Sequence, residues 1–225
     1  MRNFNSSLLI IASLLICADT LAALSVDDIN QINAGVYEKI STQDSMQFAK
    51  NTSQGKLSSC SLNYTYSYRD FHAKKGAVVV LVGNFSNQYF KGKAVSYSFK
   101  IVPNVVNPET GQWASMTPHY VDLFIDGRSM AEYKVVDFDC ELKGKCIGYS
   151  DSKMSLSNAI FRNSLKDLDV KFSLAKDGID STFNLSKIVS KDKSEREIMG
   201  FLGCVIESLE LTKNELNSMK NGKKK

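Results

Sequence analysis

The sequence predicts a mainly β protein: an antiparallel β-sandwich with an N-terminal helix, one short inserted helix and a long C-terminal helix. Three observations carry this prediction. Several segments alternate apolar and polar residues with a period of two, as half-buried strands do. Four cysteines follow a secretory leader pattern, and the C-terminal segment repeats apolar residues at helical spacing. We divide the chain into a leader (1–22), a helical and loose segment (23–58), the sandwich (59–190), a helix packed on the sheet (191–220) and a basic tail (221–225).

The leader has the pattern of a cleaved secretory signal. Arg2 is its positive region, 8–18 is its apolar run, and Thr20 and Ala22 are the small residues before the cleavage position. The run is shorter than the about 20 residues that span a bilayer, and no later stretch is long enough. We therefore expect a periplasmic or secreted protein without a transmembrane segment. Cys17 leaves open a lipoprotein anchor, although Ile16 stands where such signals have a small residue.

The cysteines after the leader predict two disulfides, because an even count in an exported chain is typical of oxidised pairs. Cys140 and Cys146 flank a turn-like Glu-Leu-Lys-Gly-Lys insert, which favours a bond between them. By remainder, Cys60 pairs with Cys204. No C-x-x-C motif occurs and no histidine lies near these cysteines in the sequence, so we expect neither a redox pair nor a metal site.

Secondary-structure elements follow the periodicity. A helix is predicted from Ser25, with Ile29, Ile32, Val36 and Ile40 on one face, and a loose segment is predicted through Lys56. The alternation of Leu62, Tyr64, Tyr66 and Tyr68 predicts a strand with an aromatic inner face, and 77–85 reads as a central strand. Further strands are predicted over 95–101, 120–125, 132–138, 146–150 and 168–174, with a turn-rich loop over 103–118 and a short helix over 155–165.

The end of the chain predicts a hairpin and then the long helix. Asp177-Gly178 is a hairpin signal, and Ile179, Phe183 and Leu185 belong to its return strand. Ser194 and Glu197 match a capping box, and Ile198, Phe201, Val205 and Leu209 predict a helix to about 219. We expect Gly200 and Gly203 to allow close packing and Cys204 to pin this helix onto the sheet.

Catalytic constellations are weak in this sequence. His72 and His119 are the only histidines, and no G-x-S-x-G elbow accompanies them. The carboxylate pairs Asp137/Asp139 and Asp167/Asp169 have the i, i+2 spacing that places side chains on one face of a strand, where most such pairs meet water. No glycine-rich phosphate loop occurs. We therefore expect no enzymatic activity and no cofactor.

The charge pattern excludes one class of partner. The net charge of +4 is too small for a nucleic-acid binder, which concentrates Lys and Arg on one face. The basic run at 220–225 is typical of a solvated tail and leaves open a peripheral membrane contact. After the leader, four N-x-[ST] tripeptides occur, at Asn51, Asn63, Asn84 and Asn184, and such tripeptides are frequent by chance in an Asn- and Ser-rich chain.

Exposed aromatic residues are the best candidates for a binding surface. The loop before Tyr120 carries Trp113 and Met116, and such loops often bind partners. The preceding hairpin could add Phe85, Tyr89 and Phe90, and we interpret the tyrosine stripe as core. The partner would be a protein or an apolar ligand.

Residues 120–188 resemble the bacterial invasion-associated locus B family. The matching features are the strand and turn at 121–127, Phe138-Asp139-Cys140 with a second cysteine closely following, a short helix, the strand 168–172 and a last strand ending in Leu185-Ser186. This chain has one residue more between the two cysteines than the family usually has, and it lacks the family's Trp-containing opening and first cysteine pair. The resemblance implies a secreted or periplasmic β-sandwich without known catalysis, associated with host interaction, and it gives no site residues.

The sequence therefore predicts an exported, non-enzymatic binding protein, with two alternatives left open. One is a periplasmic inhibitor or immunity protein that blocks a toxin or hydrolase by inserting a protruding loop such as 103–118. The other is a secreted hydrolase centred on His72 or on Asp137/Asp139.

Overall fold

A computed structural model describes residues 26–71, 76–88, 95–107, 110, 112–130, 134–137, 144–151, 155–176 and 181–222. Its helices are α1 (Val26–Ser41), α2 (Ser155–Asn163) and α3 (Lys191–Gly222), with a short 3-10 helix at Leu185–Lys187. Its strands are β1 (Ser45–Ser53), β2 (Lys56–Asp70), β3 (Ala77–Gln88), β4 (Val95–Val106), β5 (Trp113–Ser115), β6 (Tyr120–Ile125), β7 (Arg128–Ser129), β8 (Lys134–Asp137), β9 (Lys145–Asp151), β10 (Leu168–Ser173) and β11 (Ser181–Asn184).

These strands form two antiparallel sheets, which confirms the predicted fold class. Sheet A has the order β1-β2-β3-β4-β9-β8, and β5 pairs with the far end of β4. Sheet B has the order β11-β10-β6-β7. The pairing of β10 with β11 gives the hairpin that Asp177-Gly178 predicts, although the turn itself and Ile179 lie outside the described residues.

Aromatic packing joins the inner faces of the two sheets. The rings of Tyr64 and Tyr66 lie 5.7 and 5.3 Å from Phe183 of β11. Tyr68 meets Phe172 of β10 edge-on at 5.9 Å. The aromatic stripe predicted on β2 is therefore core, as expected from its alternation.

Helix α3 packs against the inner face of sheet A, beside sheet B. Phe201 is fully buried with its ring 5.6 Å from Phe85. A disulfide joins Cys60 of β2 to Cys204, with 5.9 Å between their Cα atoms. This confirms the predicted pair and the predicted attachment of the helix. Cys146 is also disulfide-bonded, and Cys140 lies outside the described residues.

The sequence predicted a loose segment before Lys56, and this prediction is wrong. The residues expected to be loose contain β1, which pairs along its length with β2 through a turn at Gln54-Gly55. Both turn residues have positive φ (53° and 73°), as a tight hairpin connection requires. Met46 is buried and Phe48 is half-buried, so only two apolar side chains mark the inner face of this strand.

The capping box at Ser194 and Glu197 is also wrong. Helix α3 begins three residues earlier, where the carbonyl of Ser190 accepts the N–H of Ser194 at 2.9 Å. The Ser194 hydroxyl donates to the carbonyl of Ser186 at 2.7 Å. The Glu197 carboxylate accepts the backbone N–H of Phe48 at 2.8 Å. These two side chains hold the helix to the 3-10 helix and to β1 instead of capping it.

Two smaller expectations also differ. Residues 103–118 form less of a loop than expected, because β4 continues to Val106 and β5 returns beside it. A side chain at Gly200 would collide with the ring of Phe48, whereas the space above Gly203 is open. Close packing therefore explains the first helix glycine only.

Candidate functional site

A groove of about 980 Å³ crosses the outer face of sheet A, on the side turned away from sheet B. Its floor comes from the middle of β2, β3 and β4. Its sides come from β1 and from β5. The outer face is available here because α1 covers only one end of it, where Val36 and Ile40 pack on Val78 and Val80.

Strand register gathers polar side chains into one row across the groove. Gln47 of β1 pairs with Asn63 of β2, Asn63 pairs with Asn84 of β3, and Asn84 pairs with Lys100 of β4. Adjacent strands lie about 4.8 Å apart, so this row spans roughly 14 Å. The next row has fewer polar groups, since it consists of Ser45, Thr65, Val82 and Val102.

The asparagines of the floor differ from a neighbouring structural asparagine. Asn104 is buried and donates to the carbonyls of Val80 and Val102, and its amide oxygen accepts the Ser115 hydroxyl at 2.7 Å. The side chains of Asn63 and Asn84 make no hydrogen bond to any described residue. Asparagine is depleted in strands, and at these two positions no internal bond offsets that preference.

On the inner side of the floor, the side chain of Tyr64 on β2 reaches across Gly83 of β3 to the backbone of β4. The Tyr64 hydroxyl crosses β3 and donates to the carbonyl of Lys100 at 3.1 Å. A Cβ at Gly83 would lie 2.0 Å from that carbonyl oxygen and 2.6 Å from the Tyr64 hydroxyl, so only glycine fits. Burial raises the pKa of Tyr64 well above its ordinary value, which keeps the hydroxyl protonated as the donor.

Trp113 and Lys100 supply the other chemistry of the groove. Trp113 faces the same side as Val106, with which it pairs, and its side chain is 48% exposed at the β5 wall. Lys100 is half-buried and has no ion pair with a described residue. The groove therefore offers amide donors and acceptors, one flat apolar ring and one positive charge.

The structure does not assemble the binding patch that the sequence predicts. Trp113 lines the groove, but Met116 is half-buried after β5, with its N–H donating to the carbonyl of Pro103. Tyr120 is exposed on β6 in the other sheet. Phe85 is fully buried between the rings of Tyr97 and Phe201, so it belongs to the core. Tyr89 and Phe90 lie outside the described residues.

The weaker catalytic candidates are placed only in part. His72 and Asp139 lie outside the described residues, and Asp137 ends β8. His119 is exposed, and its backbone N–H donates to the carbonyl of Ser173. Asp169 accepts a hydrogen bond from Asn184 at 2.8 Å. Across the described ranges, no group of three His, Cys, Asp or Glu residues could hold a metal ion.

No helix in the described part of the chain combines the length and apolar character needed to cross a bilayer. Comparison of the chain with protein-family models, with curated proteins and with solved structures finds no match.

The sequence did not single out the groove residues Gln47, Asn63, Asn84 and Lys100 as a site. Asn63 and Lys100 stand at polar positions of alternating strands, which read as side chains facing water. Gln47 lies in the segment expected to be loose, and Asn84 lies in the strand read as central. The tripeptides at Asn63 and Asn84 were the only signal that singled out two of them, and that signal concerns glycosylation.

Proposed function

We propose that this protein is an exported, non-enzymatic binding protein that holds an oligosaccharide in the outer groove of sheet A. The observation that carries the proposal is the row Gln47–Asn63–Asn84, whose amides have no described hydrogen-bond partner and which ends at Lys100. An exposed indole stands at the wall of the same groove.

The chemistry of this row suits a polyhydroxylated ligand. Each amide offers a carbonyl acceptor and an NH₂ donor, and each sugar hydroxyl both donates and accepts. The exposed face of Trp113 can pack on the apolar side of a sugar ring, since an aromatic side chain brings a large apolar surface. Lys100 favours an acidic group on the ligand.

An added peptide strand suits the groove less well. Such binding uses unpaired backbone groups at the edge of a sheet. The floor strands β2, β3 and β4 already pair with neighbours on both sides. The ligand must therefore be recognised by side chains, and the row of amides favours a ligand with hydrogen-bonding groups over the purely apolar one that the sequence suggested.

Two further observations support the non-enzymatic and exported character. Among the described residues that line the groove there is no carboxylate, imidazole or thiol, so the lining provides no acid–base pair for hydrolysis. Disulfides persist in oxidising compartments, and the Cys60–Cys204 bond fits the secretory leader. The resemblance to the invasion-associated locus B family, with its implied host interaction, stays a prediction.

Trp113 provides a direct assay, because it is the only tryptophan of the chain. Titration of the exported protein with neutral and acidic oligosaccharides, read by tryptophan fluorescence and by calorimetry, should reveal saturable binding. Asn84→Ala and Trp113→Ala should each weaken binding by about tenfold or more in calorimetry, since each removes a direct ligand contact.

Tyr120→Ala is the matched control, because Tyr120 is also an exposed aromatic residue but lies on the other sheet. It should leave the affinity unchanged. The proposal is refuted if no oligosaccharide binds, or if a bound oligosaccharide is insensitive to Asn84→Ala and Trp113→Ala.

A further inference from the structure

Helix α3 carries an exposed apolar stripe on the side opposite the core. Met199 is 62% exposed and Ile206 is 47% exposed, and Gly203 lies between them. Arg196 and Glu210 continue this line in the two directions and are exposed as well. Along this line the residues are three, four, three and four positions apart, and charged residues stand at both ends, so the apolar part is short and bounded.

Nothing in the described part of the chain requires a glycine at position 203. A Cβ at this position would meet nothing within 4 Å, unlike a Cβ at Gly200, which would lie 2.7 Å from the ring of Phe48. Glycine in the middle of a helix is unfavourable relative to alanine. A glycine that is exposed, flanked by exposed apolar residues and free of intramolecular contacts is suited to the close approach of a second helix, since helix spacing depends on side-chain size at the contact.

The charges along the stripe indicate that the second helix is α3 of another copy and that the two helices are antiparallel. If two copies of α3 cross antiparallel about a two-fold axis at Gly203, residues seven positions before and after the crossing face each other. Arg196 then faces Glu210 of the second copy, and the symmetry repeats the pair. The Arg196 side chain is 71% exposed beside Glu197 of its own chain, so its guanidinium can reach a further carboxylate.

A second cavity extends the same surface. A groove of about 820 Å³ lies beside the first half of α3, with Val189, Ile198 and Met199 as its apolar lining. Lys166, Lys187 and Lys191 give it three positive charges, against the two carboxylates of Asp167 and Glu195. In the antiparallel crossing, the segment with Glu210 and the exposed Leu211 of the second copy comes to this end of the helix. A segment with a carboxylate and an apolar side chain thus meets a partly apolar groove with a small excess of positive charge.

We infer that α3 is a homodimerisation surface, with Gly203 at the crossing point of two antiparallel helices and with Arg196–Glu210 pairs on either side. The dimer would present its two sheets A as separate binding units. It does not depend on the oligosaccharide, so the two proposals are tested separately.

Sedimentation and light scattering of the full exported chain, over a series of micromolar concentrations, should show a monomer–dimer equilibrium. Gly203→Leu should raise the dissociation constant of the dimer about tenfold or more, because the side chain separates the helices. Its own fold has room for the leucine, and leucine favours a helix. Gly35→Leu is the matched control, since Gly35 is an exposed glycine of α1 with equally open space, and it should leave the dissociation constant unchanged.

A charge exchange tests the orientation. Arg196→Glu and Glu210→Arg should each weaken the dimer, and the double variant should restore it, which a role of either residue within its own chain would not produce. The inference is overturned if the protein is monomeric throughout, if Gly203→Leu leaves the dissociation constant unchanged, or if the double variant does not recover dimerisation.

Discussion

Replacing both Cys60 and Cys204 by alanine should remove a large part of the stability of this fold. The bond joins positions separated by 144 residues and closes most of the described chain into one loop. In the chain-entropy treatment a loop of this length costs the unfolded state about 5 kcal/mol at 25 °C. Alanine is the right replacement, because both cysteines are buried and serine would leave hydroxyls without partners.

Helix α3 should remain folded in this variant. Phe201 and Val205 are fully buried and Leu202 is nearly so, and these contacts do not require the bond. Domains typically have free energies of unfolding of about 5–15 kcal/mol. The variant should therefore still fold, but with only marginal stability. We expect a measured loss of about 2–5 kcal/mol, which is the typical cost of removing a native disulfide from a small secreted domain.

Urea denaturation measures this loss, with the midpoint and the slope fitted together. The matched control is the double alanine variant of Cys140 and Cys146. The predicted bond there closes a very short loop, for which the same treatment gives about 2 kcal/mol. The reasoning is refuted if the two double variants lose equal stability, or if removing Cys60 and Cys204 leaves the midpoint unchanged.

Three further predictions concern single side chains. Gly83→Ala should cost at least about 3 kcal/mol in urea denaturation, because its Cβ would meet the backbone oxygen of Lys100 at 2.0 Å. The backbone N–H of Phe48 donates to the Glu197 carboxylate and holds the pKa of this carboxyl below its ordinary value of 4.5. The stabilisation from this hydrogen bond is therefore fully present above pH 4.5 and is lost as the pH falls through the folded-state pKa. Glu197→Gln should therefore lower Tm at neutral pH and reduce its decline in acid. Gly200→Ala should destabilise the fold, whereas Gly203→Ala should stabilise the monomer by about 0.5–1 kcal/mol, as thermal unfolding at low protein concentration would show.

The parts of the fold that the sequence predicted are those whose pattern is local. The alternation of β2 and of β10 and the helical spacing of α2 identify these elements without any knowledge of their neighbours. The predicted helical segment begins at 191, where α3 also begins, but the capping-box match placed the N-cap at Ser194, although Ser190 precedes the first helical residue and Asp192 lies in the first turn. The capping-box match at Ser194 competed with this signal, and only the tertiary contacts of Ser194 and Glu197 reveal what they bind.

Strand β1 and the groove could not be predicted for the same physical reason. Phe48 of β1 is positioned by Gly200 and Glu197, which follow it by about 150 residues in the chain. The groove row depends on the register between β1, β2, β3 and β4, and a shift of one residue would turn each amide to the opposite face. A polar residue in an alternating strand does not reveal which residues of other strands lie beside it.

The outward-facing residues of β3 change from apolar to polar along the strand, and this change supports a binding site on the outer face of sheet A. Val78 and Val80 lie under α1 and are fully buried, so their apolar character matches their cover. Val82 is the first outward residue of β3 past these two and is exposed, and Asn84 follows two residues later. A surface that only needed to stay soluble would do better with threonine or lysine than with asparagine, which strands disfavour. Unpaired asparagines at the centre of a sheet, next to an exposed valine and an exposed indole, are better explained by a ligand that bonds to them than by contact with water alone.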